Sequence, residues 1–198
     1  MEVESDAEVI IASLGEPARF GVIFDRHASV LHRYVIRRLG PVDADSLVGD
    51  IFRIAFERRH TFDPTRPTAR PWLYGIATNL IARSRRSEAR RLRAIAALAS
   101  QRPSVPDMAE AISDAMDATN RWHAVVRAVT ELPTGERDAV LLHVWEGLSY
   151  DDIAQALSIP VGTVRSRLNR ARRRLREPTG STGEQQTNTS DASGRIGA

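Results

Sequence analysis

Arginine is concentrated near the carboxyl end of the sequence, where seven arginines and no acid fall within the twelve residues Arg165–Arg176. A guanidinium group can hold a phosphate or the edge of a guanine with two parallel hydrogen bonds. Arginines at this density repel one another unless a polyanion is near. The segment therefore predicts a nucleic-acid-binding surface, with a merely solvated helix face as the alternative.

A second basic block, Arg83–Arg93, holds six arginines and one glutamate and follows Trp72 and Tyr74. Unpaired bases stack on aromatic rings or enter pockets, so a helix with an aromatic start and a basic end suits a separated DNA strand. Both aromatic residues can also be ordinary core residues, and for Trp72 the core interpretation is favoured. The better candidates for contacts are polar positions on the same helix: Asn79, Arg83 and Arg86.

Residue types that carry catalysis or bind metals are scarce or scattered. All 28 basic residues are arginine, and there is no cysteine. Thiolate nucleophiles, disulfides, cysteine-based zinc sites, the P-loop lysine and Schiff-base lysines are thereby excluded. No glycine-rich phosphate loop is present, and the histidines do not cluster with acids: His27, His32, His60, His123 and His143. We expect a protein that is not an enzyme and needs no cofactor or metal.

Apolar residues recur at spacings of three and four throughout, which predicts an all-α fold. In the amino-terminal part, helices are expected over Phe20–Leu39, from about Asp43 to Phe56, and from Trp72 into the first arginine block. Gly40 and the prolines of Phe62–Arg70 separate these helices. They make a compact domain of about 70 residues.

The carboxyl-terminal part predicts four further helices, which begin near Asn120, Thr134, Tyr150 and Val161. Ser149 is a suitable N-cap for the third of them. The last two have the pattern of a helix-turn-helix, because a small residue stands at the crossing and an apolar residue in the turn. These residues are Ala154 and Ile159.

Val164 and Leu168 face inward in this pattern, so the opposite side of the last helix is free to enter a major groove. Residues near the start of such a helix reach base edges, and those further along meet phosphates. The predicted DNA-binding residues are Thr163, Arg165, Ser166, Arg167, Asn169, Arg170 and Arg173.

Charge divides the chain into parts. Acids dominate the first 18 residues and the proline-containing stretch Pro103–Ala118. We expect an acidic amino-terminal arm (1–18), a first domain (19–95), a flexible linker (96–118), a helix-turn-helix domain (119–177) and a disordered polar tail (178–198). No apolar run approaches the length of a membrane span, and the acidic start is unlike a secretory signal, so a cytoplasmic protein is expected.

Taken together, these motifs resemble the extracytoplasmic-function (ECF) group of the sigma-70 family over residues 20–176. Asp43–Phe52 is similar to the family's polymerase-docking helix, and Arg70–Asn79 to its promoter-melting and −10-reading segment in region 2. Glu131–Pro133, Glu146–Tyr150 and Ile159–Leu168 resemble the region 4 helix-turn-helix that reads the −35 element.

The resemblance implies a bacterial specificity subunit, often stress-responsive, that joins core RNA polymerase through the β′ clamp helices and the β flap. It would read double-stranded promoter DNA, hold the melted non-template strand, answer to an anti-sigma factor and associate with the nucleoid in the holoenzyme. Two residue sets follow by resemblance. For the −10 element they are Trp72, Tyr74, Asn79, Arg83 and Arg86, and for polymerase Asp45, Leu47, Asp50, Ile51 and Arg53.

The distance between the two promoter elements predicts an extended molecule. A compact chain of this length has a radius of gyration of only ~16 Å, whereas two promoter elements lie roughly 85 Å apart. We therefore expect weak binding by the free chain, because a flexible linker leaves the domains uncorrelated and the acidic arm can lie against an arginine block. The alternatives are a stand-alone helix-turn-helix regulator that senses a ligand or dimerises, and a DNA-processing enzyme.

Overall fold

The computed structural model describes residues 4–99 and 128–176, and all regular structure in these two ranges is helical. The prediction of an all-α fold is confirmed. The first domain comprises α1 (Asp6–Gly15), a short 3₁₀ helix (Pro17–Phe20), α2 (Gly21–Leu39), α3 (Ala44–Glu57), a second 3₁₀ helix (Arg59–Thr61) and α4 (Arg70–Ala99). The second domain comprises α5 (Thr134–Val144), α6 (Tyr150–Leu157) and α7 (Val161–Arg176).

Helices α2, α3 and α4 pack as the periodicity predicted. Ile23, Leu31, Ile51, Leu73 and Ile81 are essentially inaccessible to solvent and meet in one core. Burying an aliphatic side chain of this size stabilises the fold by about 1.5–3 kcal/mol. The turn after α2 depends on Gly40, whose φ of 86° is a conformation that residues with a Cβ rarely adopt.

The segment expected to be an acidic arm is instead a packed helix, α1. Ser5 caps its first turn and forms a capping box with Glu8. Val9 and Ile10 are buried in the first domain's core. The segment is acidic in composition, but its apolar residues lie on one face of the helix, and burial of that face holds α1 against the domain.

Asp6 anchors α1 to the rest of the first domain. Its carboxylate accepts hydrogen bonds from Arg26 at 2.9 Å and from the backbone N–H of Ala69 at 2.8 Å, and it lies 2.7 Å from Nε2 of His27. Burial acts to raise the pKa of Asp6, but these three partners together hold it far below the usual range. The acid is therefore committed within its own domain and does not lie against an arginine block.

The helix-turn-helix of the second domain forms as predicted. The Ser149 side chain caps α6 by accepting from the N–H of Asp152. Ser158 adopts a left-handed conformation with φ 52° and ends α6, which turns the chain into α7. Ile153 and Val164 are fully buried between the two helices.

Other predicted segments lie outside the described residues. These are the linker over most of its length, the greater part of the helix that begins near Asn120, and the polar tail. Helix α4 continues to Ala99 and so includes the first four residues of the predicted linker. Within the described ranges no helix is both long and apolar enough to cross a membrane.

Candidate nucleic-acid interface

Helix α7 presents a basic face to solvent because its apolar residues are turned into the second domain. Val164, Leu168 and Ala171 are buried, and the positions between them point outward. The predicted contact residues fall on that outer side. Arg165, Asn169, Arg170 and Arg173 are exposed, whereas Thr163, Ser166 and Arg167 are half-buried.

Glu136 fixes the position of α7 from beneath. This acid on α5 is buried, and its two carboxylate oxygens lie 3.0 Å from Nε of Arg170 and 3.2 Å from Nε of Arg174. The guanidinium of Arg167 lies directly over Gly135, where a Cβ would approach its carbon to 2.8 Å. These three arginines are therefore partly engaged by the protein itself.

Arg165 and Arg173 differ from that group. In the part of the chain that the structure describes, neither makes a hydrogen bond or an ion pair, and both are exposed. Their full donor sets are open to a base edge or a phosphate. Among the predicted contact residues these two arginines are thus the most available.

The first domain offers a second basic face on the middle of α4, but its aromatic start is covered. Asn79, Arg83 and Arg86 are exposed. Trp72 is half-buried with its ring 5.4 Å from that of Phe62, in keeping with the core interpretation. Tyr74 is only 1% exposed, so in this conformation no base can stack on it.

Tyr74 is covered by the second domain. Its hydroxyl donates a short hydrogen bond to the carboxylate of Glu146, which lies between α5 and α6. Burial and the neighbouring carboxylate together raise the pKa of Tyr74, so the phenol stays protonated and acts as a donor. Arg70 donates to the Glu146 carbonyl at 3.0 Å, and Arg37 to its carboxylate at 3.2 Å.

A buried ion pair joins the domains beside this contact. Arg38 on α2 donates to Asp138 on α5 at 2.5 Å, and both side chains are almost inaccessible to solvent. Arg85 donates to the Arg38 carbonyl, also at 2.5 Å. Burial and the charge of Arg38 lower the pKa of both Arg85 and Arg137.

Helix α6 completes the contact by lying across α4 at Gly75. A Cβ at Gly75 would stand 2.7 Å from the carbonyl oxygen of Ala156, so only glycine permits this approach. Sequence reasoning missed this interface, since its partners lie 70 to 110 positions apart. The one local signal was Asp138, an acid directly before the buried apolar residues Ala139–Leu142.

The predicted polymerase-binding residues lie on α3, away from this interface. Asp45 and Arg53 are exposed, and Leu47 and Asp50 are half-buried. Ile51 is fully buried, so it supports the helix from within and offers no contact surface, which corrects its assignment.

Two features shape the outer side of α3. Arg53 lies between Asp50, at 3.3 Å, and Glu57, at 2.8 Å, and these hydrogen bonds raise its pKa. A groove of about 380 Å³ runs between α2 and α3. It is lined by Phe24, Ala28, Ser29, His32, Asp45, Val48 and Gly49.

Metal-ligating side chains do not assemble anywhere in residues 4–99 and 128–176: no group of three or more histidines, cysteines or acids meets there. What the described arrangement offers is a set of cationic and hydrogen-bonding groups on helices. Such groups bind the phosphates of polyanions such as nucleic acids.

Two family models match the chain. Residues 23–91 match the model described as "Sigma-70 region 2", and residues 122–175 match "Sigma-70, region 4". The first match covers α2 to most of α4, and the second covers the helix-turn-helix domain.

Curated relatives agree with these matches. The chain is 31% identical over 175 residues to the ECF RNA polymerase sigma factor SigL of Mycobacterium tuberculosis, covering 86% of this chain and 94% of the relative. It is 30% identical over 165 residues to the ECF RNA polymerase sigma-E factor of Escherichia coli, covering 80% of this chain and 85% of the relative.

Solved structures are similar as well. CnrH, in complex with the cytosolic domain of CnrY, aligns with a TM-score of 0.59 and 26% identity over 86% of this chain and 94% of that one. The sigma factor RpoE, bound to the anti-sigma factor NepR from Bartonella quintana, aligns with a TM-score of 0.58 over 80% of this chain and 94% of its own. At 23% identity, the RpoE likeness concerns the fold alone.

Proposed function

This chain belongs to the ECF group of the sigma-70 family. From this membership we propose a separate role in promoter recognition for each of the helices α7, α4 and α3. The chain binds core RNA polymerase and directs promoter-specific initiation of transcription. The protein acts as an initiation factor, and we propose that it carries no catalytic group of its own and works in the bacterial cytoplasm.

The −35 element is assigned to helix α7. The supporting observation is the exposed arginine face, with Arg165 and Arg173 unengaged and the inner face buried. Because Glu136 holds Arg170 and Arg174, the helix is fixed in its angle to the groove before DNA arrives. We assign base reading to Arg165 and its neighbours near the start of the helix, and phosphate contacts to Arg173.

The −10 element and strand separation are assigned to α4. Asn79, Arg83 and Arg86 form its open part, and Tyr74 becomes available to a base only when the second domain moves away. Taking a base out of the stack costs a few kcal/mol of free energy. Contacts between α4 and the displaced strand offset that cost.

Polymerase docking is assigned to the outer side of α3, through Asp45, Leu47, Asp50 and Arg53, with the adjacent groove as the cleft that receives the β′ clamp helices. From membership in the ECF group we also propose that an anti-sigma factor regulates this chain. No cofactor or metal enters this proposal.

Reconstitution tests the assignment. The full-length chain is combined with core polymerase, the complex is isolated by pull-down, and transcription is run on a genomic library with core enzyme alone as the control. We expect discrete start sites that share a −10 and a −35 sequence. Retention on core enzyme without promoter-dependent transcripts would contradict the proposed function. A complete promoter footprint formed by the isolated chain would favour a stand-alone regulator.

A further inference from the structure

We propose that the basic part of α4 and the start of α5 form a binding site for a small phosphorylated anion, a nucleotide with two or more phosphates. The site is a cavity of about 570 Å³ between these two helices, which we call the arginine cavity. The roles proposed above for α7, α4 and α3 do not require a small ligand. This inference therefore goes beyond the proposed function.

Four arginines of α4 line the arginine cavity: Arg85, Arg86, Arg90 and Arg93. Residues three and four positions apart share one side of an α-helix, so these side chains reach the same recess. Each guanidinium can hold two oxygens of a phosphate with parallel hydrogen bonds. Among the described residues that line the cavity there is no acid, so nothing in its lining neutralises this charge.

Most donors of these arginines are unengaged. Within residues 4–99 and 128–176, the side chains of Arg86, Arg90 and Arg93 make no hydrogen bond or ion pair. Arg85 is half-buried and donates from one nitrogen to the carbonyl of Arg38. The remaining donors are therefore available to an anion that enters the cavity.

Positive charge also accumulates behind the arginine cavity. Burial, together with the charges of Arg38 and Arg137, lowers the pKa of Arg85. The neighbouring acid Asp138 is already paired with Arg38 at 2.5 Å. An anion in the cavity relieves the repulsion among these guanidiniums, which adds to the attraction that the lining itself exerts.

The shape of the cavity indicates the class of ligand. Its volume lies within the range of about 300–1,000 Å³ that is typical of small-molecule sites. Ala82 and Ala89 line it between the arginines, and their short side chains leave room for a ligand. Four guanidiniums offer more donors than one phosphate accepts, and their planar faces can stack on an aromatic base. A nucleotide with at least two phosphates matches both properties.

The second domain contributes Thr134, the first residue of α5. Its side chain is exposed, and Pro133 before it provides no side-chain cap for the helix. The uncapped N–H groups and the dipole at this end of α5 favour negative charge. Glu136 in the same turn is engaged with Arg170 and Arg174. A nucleotide in the cavity would therefore meet donors from both domains.

Isothermal titration calorimetry of the full chain tests the site. The probes are ADP, AMP and adenosine, at about 0.15 M salt, where charges more than about 8 Å apart are largely screened. We expect ADP to bind with one-to-one stoichiometry. AMP should bind about tenfold more weakly because it lacks one phosphate, and adenosine should give no binding heat.

The first variant, Arg90→Gln with Arg93→Gln, removes two guanidiniums from the cavity. Glutamine has a helix propensity similar to that of arginine, so α4 is retained. The matched control, Arg33→Gln with Arg58→Gln, removes the same charge from two exposed positions of the first domain outside the cavity. We expect ADP affinity to fall about a hundredfold in the cavity variant and to stay at the wild-type value in the control.

The second variant, Thr134→Glu, keeps every arginine and places a carboxylate at the rim of the cavity. An acid in the first turn favours the helix, so α5 is retained. We expect a similar loss of ADP affinity, because the new carboxylate competes with the ligand's phosphates. Circular dichroism of each variant identifies one that fails to fold, and the other variant then decides.

A single-stranded DNA of mixed sequence, about twelve nucleotides long, separates a free nucleotide from a DNA backbone as the source of the phosphates. The proposal is overturned if the wild type binds this strand but not ADP, or if the cavity variant and its control lose ADP affinity equally. Unchanged ADP affinity in a folded Thr134→Glu chain would exclude α5 from the site and contradict the proposal as well.

Discussion

The two DNA-binding faces proposed for this protein differ in their accessibility. The outer side of α7 carries unengaged arginines in full contact with solvent, whereas the start of α4 lies beneath the second domain with Tyr74 hydrogen-bonded to Glu146. The same second domain therefore offers one face and covers the other. We therefore expect the two proposed faces to respond differently to changes in the contact between the domains, and the following predictions test that contrast.

The largest effect is expected from Arg38→Ala. This change leaves Asp138 buried without its partner, and removal of one member of a buried ion pair costs roughly 3 kcal/mol. Because separation of the domains would expose Asp138 to water, we expect the contact between the domains to be lost before either domain unfolds. The contact between the domains is measured by fluorescence energy transfer between dyes on Asp25→Cys of α2 and Asp151→Cys of α6, since the chain has no cysteine of its own. Urea unfolding measures the stability of the domains.

Arg53→Ala is the matched control for that variant. Its ion pairs with Asp50 and Glu57 are exposed, and such pairs contribute less than about 1 kcal/mol. Equal losses for Arg38→Ala and Arg53→Ala would mean that the contact between the domains adds nothing to stability.

Asp6→Asn sharpens the comparison by weakening the first domain without touching its covered face. We expect a loss of about 2 kcal/mol at pH 7, because a carboxylate with three buried partners becomes a neutral amide. Energy transfer between the domains at low urea should stay as in the wild type. Separation of the two domains in this variant would show that α1 and the contact between the domains form one cooperative unit.

The difference in stability between the wild type and Asp6→Asn should depend on pH, because the folded wild-type protein lowers the pKa of Asp6. The folded protein holds the carboxylate ionised at a pH where the unfolded chain, with a pKa of about 3.9, takes up a proton. The stabilisation is therefore complete above about pH 5 and is lost progressively as the pH falls toward the folded pKa. Urea unfolding at pH 7 and pH 3 should show the gap between wild type and variant narrowing at the lower pH.

Arg165→Ala tests the exposed outer side of α7. We expect a loss of about 1–3 kcal/mol at the −35 element with a changed base preference, whereas Arg173→Ala should weaken binding to all sequences alike. Gly75→Ala places a Cβ against the Ala156 backbone and so disturbs the contact between the domains. Because α7 lies outside that contact, holoenzyme that also carries Gly75→Ala should show the same losses of −35 affinity. The measurement is promoter binding with single-base variants of the −35 element, and identical profiles for both arginines would refute the division between base and phosphate contacts.

The smallest effect is expected at α3, which lies away from both DNA faces. Asp50→Arg should weaken assembly with core polymerase about tenfold, or about 1.4 kcal/mol, through like-charge and steric mismatch at the docking side. Analytical co-elution with core enzyme measures this, with Asp151→Arg on α6 as the control. Unchanged assembly would remove Asp50 from the docking surface.

Local patterns predicted much of this molecule. The spacing of apolar residues located α2, α3 and the helix-turn-helix closely, since each of these helices buries one face. The residues on the open face of α7 followed from the same geometry, because inward-facing Val164 and Leu168 determine which positions point outward.

What could not be predicted depends on pairs that are distant in sequence. Nothing near Tyr74 indicates that Glu146 will bind it, and nothing near Arg38 indicates Asp138. Helix α1 was missed for a different reason, because a net negative composition concealed an apolar face led by Val9 and Ile10. Periodicity describes each helix separately, while charge matching between helices becomes visible only once they are packed.

The carboxylate of Glu136 beneath α7 has a consequence for the salt dependence of promoter binding. DNA affinity falls with added salt in proportion to the counterions that protein cations displace, with a slope of about 0.9 per phosphate neutralised. Two of the seven arginines from Arg165 to Arg176 already share an internal anion, so the helix displaces fewer ions than its composition implies. These ion pairs fix the orientation of α7. We therefore expect promoter binding through this helix to depend less on salt concentration than seven free arginines would imply.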